Sequence, residues 1–338
     1  MSISLYSQEK VSYGVIFVTQ FIAPKMKMKT IIYFFTFLLI NLSFGQDNSY
    51  LETEVEITEL IDGSLMIPKN QKETELVIII AGSGPTNRNG NQNFLKSNNL
   101  KKLAIALAKE NISSFRYDKR IVKQIKTGNI DVKSMRFQDF VNDAKDVVSY
   151  FKERNQFSKI YIAGHSQGSL VGMLAAEKDV NGFISLAGAG QNISDVIVDQ
   201  INNTARQFID DTKRVVETLK SGKTTKDFPP ALGAMFNMEI QPFMISWMAY
   251  QPTDIITNLE LPILIINGTK DLQVSEEEAK LLSDANPNAE IKIIENMNHV
   301  LFTIEGDKLE NSKSYNEAFR EINSELVESI VTFIEKNR

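Results

Sequence analysis

The 338-residue chain has a formal net charge of -5 and 43% hydrophobic residues, enough for one large domain with a substantial core. Basic residues are interspersed with acidic ones, so the sequence predicts no nucleic-acid partner. The chain has no cysteine and two histidines, which excludes disulfides and Cys-based metal sites and disfavours a histidine-rich metal site. We expect no metal and no other cofactor, and oxygen nucleophiles as the source of any chemistry.

Residues 26–45 have the layout of a signal peptide. Three lysines between positions 25 and 29 precede an apolar run at residues 30–44, and small residues precede Gln46. The run is shorter than the roughly 20 apolar residues that a bilayer-spanning helix needs. We therefore expect a secreted or periplasmic protein with no stable membrane span in its mature form. An N-terminal membrane anchor is the alternative.

Residues 1–25 are predicted to be an upstream extension. A signal peptide normally begins at the initiator methionine, so the natural start is expected at Met26 or Met28. Residues 46–338 are then the folded domain.

The first elements of that domain read as a hairpin followed by a buried strand. Apolar and charged residues alternate over residues 51–60, and the turn pair Asp62-Gly63 precedes another short strand at residues 64–67. Residues 76–81 are a continuous apolar run rich in isoleucine. Such a run is typical of a strand buried on both faces of a parallel sheet.

Strands and helices alternate through the rest of the chain. Strands are predicted at residues 112–116, 159–163, 182–186, 263–267 and 290–295, and helices at residues 95–109, 138–153, 166–177, 275–285 and 315–336. This alternation indicates βαβ units. The predicted class is α/β, with a mostly parallel central sheet and helices on both faces.

Residues 191–257 interrupt this alternation. The segment is too long for an ordinary connection between a strand and a helix, so we predict a helical insertion that forms a lid. Methionine and aromatic side chains adapt to irregular apolar ligands. The candidate substrate-binding residues of the lid are Met235, Phe236, Phe243, Met244 and Trp247. Packing within the insertion itself explains these side chains equally well.

The motif Gly-His-Ser-Gln-Gly at residues 164–168 indicates a nucleophile elbow. It lies between a predicted buried strand and a predicted helix, which is the context that this motif requires. The turn is so tight that only glycine fits beside the strand and the helix. Ser166 is therefore the candidate nucleophile, and a serine at this position indicates acyl transfer.

A serine nucleophile needs a base, and the base needs an acid that orients it. His165 lies in the elbow and is expected to pack away from Ser166 as a structural residue. His299, which follows the last predicted strand, is the remaining candidate base. Asp271 follows the preceding strand and is the candidate acid, with a turn or helix-capping role as the alternative and Asp254 as the second choice.

An oxyanion hole needs two backbone N–H groups that point at the developing charge. In this arrangement one comes from the residue after the nucleophile, here Gln167, and the other from the loop after the third strand. Ser83 occupies that second position within the sequence Ala-Gly-Ser-Gly-Pro at residues 81–85. An ordinary turn is the alternative interpretation of this loop.

Two further segments carry a family resemblance. Residues 82–91 (Gly-Ser-Gly-Pro-Thr-Asn-Arg-Asn-Gly-Asn) and 116–120 (Arg-Tyr-Asp-Lys-Arg) resemble the oxyanion loop and post-strand segment of the α/β-hydrolase superfamily, in its secreted bacterial carboxylesterase and prolyl-oligopeptidase-like (serine aminopeptidase-like) branch. The resemblance implies the α/β-hydrolase fold and a triad of Ser166, Asp271 and His299.

The chain departs from that branch at residues 121–123, where Ile-Val-Lys replaces the usual glycine and small polar residues, so we expect a differently shaped loop beside the pocket. Tyr117, Asp118 and Arg120 either shape the rim of the site or form a structural ion pair and packed ring. Arg88 either organises the oxyanion loop or meets a substrate carboxylate.

These residues predict a serine hydrolase that cleaves small-molecule carboxylic esters through an acyl-enzyme. A peptidase or acylaminoacyl hydrolase that uses the same residues on short acyl or peptide substrates is the first alternative, and a non-catalytic binding protein of the same fold is the second. Activity is expected to fall on acidification, because a protonated His299 cannot act as base.

Overall fold

The computed structural model describes residues 49–338, except residues 70, 72 and 177–179. The predicted signal peptide and upstream extension therefore lie outside the described residues. Within the described part of the chain, no helix combines the length and apolarity needed to cross a bilayer.

Eight strands are distributed along the described chain. They are β1 (Tyr50–Thr58), β2 (Ile61–Pro68), β3 (Leu76–Ile80), β4 (Ser113–Tyr117), β5 (Ile160–His165), β6 (Gly182–Leu186), β7 (Ile263–Gly268) and β8 (Glu290–Ile294). The helices between and after them are α1 (Asn99–Lys109), α2 (Arg120–Thr127), α3 (Phe137–Arg154), α4 (Gln167–Ala175), α5 (Ile193–Thr204), α6 (Ile209–Lys220), α7 (Gly233–Phe236), α8 (Gln241–Met248), α9 (Pro252–Thr257), α10 (Glu276–Ala285), α11 (Lys308–Ser314) and α12 (Ser324–Lys336).

All eight strands belong to one sheet, in the order β1-β2-β4-β3-β5-β6-β7-β8. The strands β1 and β2 pair antiparallel to each other, and β2 pairs antiparallel to β4. From β4 to β8 every pairing is parallel. The carboxyl ends of the parallel strands therefore meet at one edge, where loops can bring distant residues together.

The central strands are buried on both faces, as their unbroken apolar runs predict. In β3 the side chains of Leu76, Ile78 and Ile80 belong to one core cluster, and those of Val77 and Ile79 belong to the other. This alternation follows from the two-residue repeat of a strand. Helices α3 and α4 contribute to the first cluster, and α1 and α12 to the second, so helices cover both faces.

The hairpin turn is not where the sequence places it. Asp62 and Gly63 lie inside β2, and the turn is at Thr58, whose Oγ1 accepts hydrogen bonds from the N–H groups of Leu60 (3.3 Å) and Ile61 (3.2 Å). Gly63 serves packing instead, since a Cβ atom there would lie 2.4 Å from the ring of Phe115 on β4. Gly63, which was expected in a turn, therefore lies where β2 and β4 approach each other closely.

Two predicted helices are shorter than expected. The helix predicted from residue 95 begins at Asn99, because Asn98 has a left-handed backbone (φ 54°) that precedes the first turn. The helix predicted for residues 315–336 begins at Ser324, where the side chain of Asn323 caps it by accepting from the N–H of Leu326. A separate helix, α11, precedes it and was not predicted.

The insertion is helical, with five α-helices (α5 to α9) and two short 3-10 segments between residues 193 and 257. Its α8 packs on α3 through aromatic rings. Trp247 stacks on Phe137 with ring centroids 5.5 Å apart, and Phe243 lies 5.3 Å from Phe140. Aromatic contacts of this kind stabilise beyond the area that they bury, so α3 is the platform on which this part of the insertion rests.

Candidate active site

Ser166 occupies a strained turn between β5 and α4. Its backbone has φ 54° and ψ -120°, a left-handed region that a serine rarely adopts. A Cβ atom at Gly164 would lie 2.1 Å from the carbonyl oxygen of Gly168, and one at Gly168 would lie 2.4 Å from that of Ile80. The two glycines are therefore required by close backbone contacts, and the turn holds Ser166 at the carboxyl edge of the sheet.

His299 and Asp271 meet at the same edge. The Nδ1 of His299 donates to Oδ2 of Asp271 over 2.8 Å, and both side chains are almost fully buried (5% and 1% exposed). The other carboxylate oxygen of Asp271 accepts from the N–H groups of Gln273 (2.7 Å) and Val274 (2.9 Å). Because Nδ1 carries the proton, Nε2 of a neutral His299 is free to accept one.

The three predicted triad residues follow three different strands of the sheet, β5, β7 and β8. Ser166 and His299 border one small cavity, and Asp271 lies behind His299. Asp254, the second choice for the acid, lies exposed on α9. The catalytic roles remain predictions, and the geometry supplies an acid that fixes the tautomer of the base.

A buried asparagine pair fixes the loops that carry the acid and the base, and the sequence did not predict it. The Nδ2 of Asn298 donates to Asn311 Oδ1 (2.9 Å) and to the hydroxyl of Ser314 (2.8 Å). Asn311 in turn donates to the carbonyl oxygen of Lys270 over 2.6 Å. Helix α11 thereby joins the residue before Asp271 to the residue before His299. In the sequence, the signal for these contacts is a cluster of polar residues whose role the adjacent residues do not explain.

His165 is buried, as expected, but its ring lies against His299. Its Nε2 donates to the carbonyl oxygen of His299 over 2.7 Å, and the two ring centroids are 4.9 Å apart. Burial, together with the neighbouring His299, lowers the pKa of His165 to about 4. His165 therefore holds the backbone of the candidate base while remaining neutral.

The oxyanion loop passes directly over Ser166. A Cβ atom at Gly82 would lie 3.2 Å from Cβ of Ser166, so the loop passes close to the nucleophile at this residue. The carbonyl oxygen of Ser83 accepts from Thr86 Oγ1 (2.7 Å) and Gln92 Nε2 (2.9 Å), which fixes the loop from outside. Gln167 is the first residue of α4, so its N–H is not used within the helix. The structure thus brings both predicted donor residues beside Ser166.

Arg88 organises the oxyanion loop rather than facing a substrate. Its guanidinium pairs with Glu54, Asp62 and Asp118, and its own N–H donates to Asp118 Oδ1 over 2.8 Å. Only 11% of the Arg88 side chain is exposed. These contacts tie the loop to the hairpin and to the end of β4.

Two other residues of the Arg-Tyr-Asp-Lys-Arg segment, Tyr117 and Arg120, are also structural. Arg120 makes two parallel hydrogen bonds to Asp143 on α3, of 2.8 and 2.7 Å, and Tyr117 is buried. Residues 121–123, where a differently shaped loop was expected, belong to helix α2. Ile121 from this helix lines the larger of the two cavities beside Ser166.

Lys119 is a buried residue of the site whose role the sequence did not predict. Its Nζ donates to the carbonyl oxygen of Gly82 (2.9 Å) and to Oε1 of Gln167 (2.7 Å), and lies 4.4 Å from the ring centroid of Phe140. Burial lowers the pKa of Lys119 to about 7, although Asp143 opposes the shift. The sequence signal for Lys119 is its place in the Tyr-Asp-Lys-Arg segment.

Two cavities border Ser166 and differ in size and lining. One of about 550 Å³ is walled mainly by aliphatic, methionine and aromatic side chains of the insertion, α2 and α3. The other, of about 90 Å³, is walled mostly by polar residues of the oxyanion loop, by His299 and by Tyr315.

Four of the five predicted lid residues line the larger cavity. These are Met235, Phe243, Met244 and Trp247. Phe236 does not line it, because its ring is fully buried inside the insertion, with its centroid 6.4 Å from that of Phe228. Apolar character alone did not distinguish a pocket wall from the core behind it.

The strand order, the nucleophile turn after β5 and the helices on both faces are those of the α/β-hydrolase fold, which confirms the predicted fold. A family model described as "Serine aminopeptidase, S33" matches residues 95–229. Esterase EstD of Thermotoga maritima is 25% identical over 270 residues. The match covers 76% of this chain and 62% of the length of that relative.

Solved structures with the same fold include esterases and a related hydrolase. Est1E from Butyrivibrio proteoclasticus superposes with a TM-score of 0.55 at 18% identity, over 85% of this chain and 98% of that one. An esterase of Pyrococcus furiosus superposes with a TM-score of 0.50 at 15% identity, over 85% of this chain and 91% of that one. A dienelactone hydrolase from Anabaena variabilis superposes with a TM-score of 0.50 at 12% identity, over 86% of this chain and 99% of that one.

Proposed function

We propose that the protein is a serine hydrolase that cleaves carboxylic esters through an acyl-enzyme. The observation that carries this proposal is the buried Asp271–His299 pair, with Nδ1 to Oδ2 at 2.8 Å, at the cavity that Ser166 also borders. The similarity to Esterase EstD supports the same activity. No contact in the described site specifically favours a peptidase or a non-catalytic binding role.

In the proposed reaction, the Oγ of Ser166 attacks the ester carbonyl carbon while its proton passes to Nε2 of His299. The N–H groups of Ser83 and Gln167 hold the charge that develops on the carbonyl oxygen. The C–O bond to the alcohol then breaks, and His299 returns the proton to the leaving oxygen. Water then attacks the acyl carbon as His299 takes its proton, the bond to Ser166 Oγ breaks, and His299 returns the proton to that oxygen as the acid leaves.

The two cavities support a division of the substrate into its acyl and alcohol parts. The smaller cavity includes His299 in its wall, and the base must reach the oxygen that it protonates. The alcohol therefore belongs on this polar side, and the acyl group extends into the apolar cavity of about 550 Å³. We expect esters of medium-length aliphatic or aromatic acids with small, polar alcohols.

A panel of substrates and one labelling reagent test this proposal. Methyl octanoate, its isomer heptyl acetate and aminoacyl p-nitroanilides are compared by initial rates, and a fluorophosphonate probe reports the reactive serine. We expect methyl octanoate to react fastest, and Ser166→Ala to abolish labelling and lower kcat by a factor of about 10⁴ or more. Ser158→Ala, at an exposed serine before the start of β5 that lines neither cavity, is the matched control and should label like wild type.

Each opposite result has its own meaning. Faster cleavage of the anilides would identify a peptidase, and folded wild type that takes no label would identify a non-catalytic protein. Faster cleavage of heptyl acetate would reverse the assignment of the two cavities.

We also propose that the protein is secreted or periplasmic. The three lysines and the apolar run within residues 25–44 support this location. N-terminal sequencing of natively expressed protein should give a mature chain that starts near Gln46. A chain that starts at Ser2 or Ile3 would contradict it.

A further inference from the structure

Lys119 lies behind the wall of the site rather than in the path of a substrate. It follows β4 and precedes α2, and it is only 5% exposed. Neither of the two cavities beside Ser166 includes Lys119 in the wall that the structure describes. Burying an ammonium group is costly unless partners satisfy it, so the position calls for an explanation.

The partners of Lys119 are two oxygen atoms and one aromatic ring. In its protonated form the three N–H donors of Lys119 face the Gly82 carbonyl at 2.9 Å, the Gln167 side-chain oxygen at 2.7 Å and the Phe140 ring at 4.4 Å. The nearby carboxylate of Asp143 is engaged by Arg120 through two hydrogen bonds. A lysine kept only for an ion pair would contact a carboxylate, whereas this one contacts the two segments of the oxyanion hole.

The Gly82 contact acts on the peptide group that supplies an oxyanion donor. The carbonyl of Gly82 and the N–H of Ser83 belong to one planar trans peptide, so they point in opposite directions. A cation held at the carbonyl fixes the plane of this peptide and therefore the direction of the N–H. It also polarises the group, which strengthens the N–H as a donor.

The Gln167 contact acts on the other donor residue. Its backbone N–H is the first of α4, and its side chain, 5% exposed, is held by the same ammonium. The two donors come from loops more than 80 residues apart in the sequence. Lys119 contacts the Gly82 carbonyl, next to the Ser83 N–H, and the side chain of Gln167.

We propose that Lys119 is a positioning residue of the oxyanion hole, which aligns the N–H groups of Ser83 and Gln167 through the Gly82 carbonyl and the Gln167 side chain. It does not touch the substrate. The inference rests on the proposed esterase function, since it concerns the charge that forms on the ester carbonyl oxygen. Its effect belongs to the transition state, because the charge on that oxygen develops only there.

The test is Lys119→Met, which keeps most of the side-chain volume and removes the charge. Loss of a whole oxyanion donor typically costs about 10²- to 10³-fold in kcat, so misalignment of two donors should cost about 10- to 100-fold. KM should stay within about threefold, because ground-state binding uses the cavities. Affinity for a trifluoromethyl ketone, whose adduct places an oxyanion in the hole, should fall by the same factor as kcat/KM.

Lys159→Met is the matched control. Lys159 also donates to a backbone carbonyl, that of Asn337 (2.6 Å), but it lies immediately before β5, at the opposite end of that strand from Ser166. This variant should lose stability while its kcat stays within about twofold of wild type.

Three results are decisive. A Lys119→Met enzyme with wild-type kcat and ketone affinity would overturn the inference, and so would a rise in KM at unchanged kcat. If Lys119→Met does not fold, Lys119→Gln, which keeps a neutral donor, is measured by the same criteria. Wild type that hydrolyses no ester would refute the proposed function instead, before any variant is compared.

Discussion

The loops that carry Asp271 and His299 and the helices of the insertion border the same site but are held by different forces. The loops depend on buried hydrogen bonds, such as those that Asn311 makes with Asn298 and with Lys270. Helix α8 of the insertion depends on ring contacts, such as Trp247 on Phe137. One side of the site is polar and directional, and the other is apolar.

This difference separates chemistry from specificity. A buried hydrogen-bond network is satisfied in few geometries, so it fixes the atoms that must align within a fraction of an ångström. Contacts among methionine and aromatic side chains tolerate small displacements and repacking. Changes on the polar side should therefore alter the rate for every substrate, and changes on the apolar side should alter the preference among substrates.

The largest effect should come from Asp271→Asn. An asparagine at this position can present its amide nitrogen to Nδ1 of His299, which favours the tautomer with the proton on Nε2 and removes the base. We expect kcat to fall by about 10³- to 10⁴-fold for short and long acyl esters alike. Steady-state rates on methyl acetate and methyl octanoate measure this directly.

Asp254→Asn is the control for that substitution, because Asp254 was the second candidate acid and lies exposed on α9. Its kcat should stay within about twofold of wild type, as is usual for surface changes. A large loss in Asp254→Asn, or a small one in Asp271→Asn, would show that the acid has been assigned wrongly.

The sequence predicted what local patterns determine. The isoleucine run of β3 and the glycines beside Ser166 have meanings that depend on adjacent residues, so the sheet and the nucleophile turn could be placed. Asp271 and His299 could be placed because the ends of parallel strands share one edge. Local patterns can also mislead. The Asp-Gly pair at residues 62–63 predicted a turn, but Gly63 is there because it packs closely against Phe115.

The sequence could not predict what long-range contacts determine. Lys119 meets residues that lie 37 and 48 positions away along the chain. In the sequence, Asn311 cannot be distinguished from a polar residue on the surface of a helix. Its contact with Lys270 exists only in the folded chain. Phe236 and Phe243 have the same chemistry, and only the packing of the insertion decides which of them faces the cavity.

Phe243 and Phe236 give the prediction of intermediate size, which concerns the apolar side of the site. Phe243→Leu removes ring surface from the larger cavity, so kcat/KM for methyl octanoate should fall about tenfold, with little change for methyl acetate. Phe236→Leu is the matched control, because it changes a fully buried ring outside the cavity wall. It should lower the thermal unfolding temperature without changing the ratio of the two rates. Equal losses on both esters in Phe243→Leu would contradict the division between the two sides.

The smallest effect concerns His165, which links the elbow to the base on the polar side. Its pKa is lowered to about 4 in the folded state by burial, against about 6.5 unfolded. Between these values the unfolded state binds more protons, so the free energy of unfolding should fall by at most about 3 kcal/mol as the pH drops from 6.5 to 4. His165→Gln keeps an N–H donor and should remove this pH dependence of the free energy of unfolding, which urea denaturation measures. From pH 7 to 8, residue 165 should give neither protein a pH-dependent free energy of unfolding. An unchanged slope in the variant would assign the acid sensitivity to other groups.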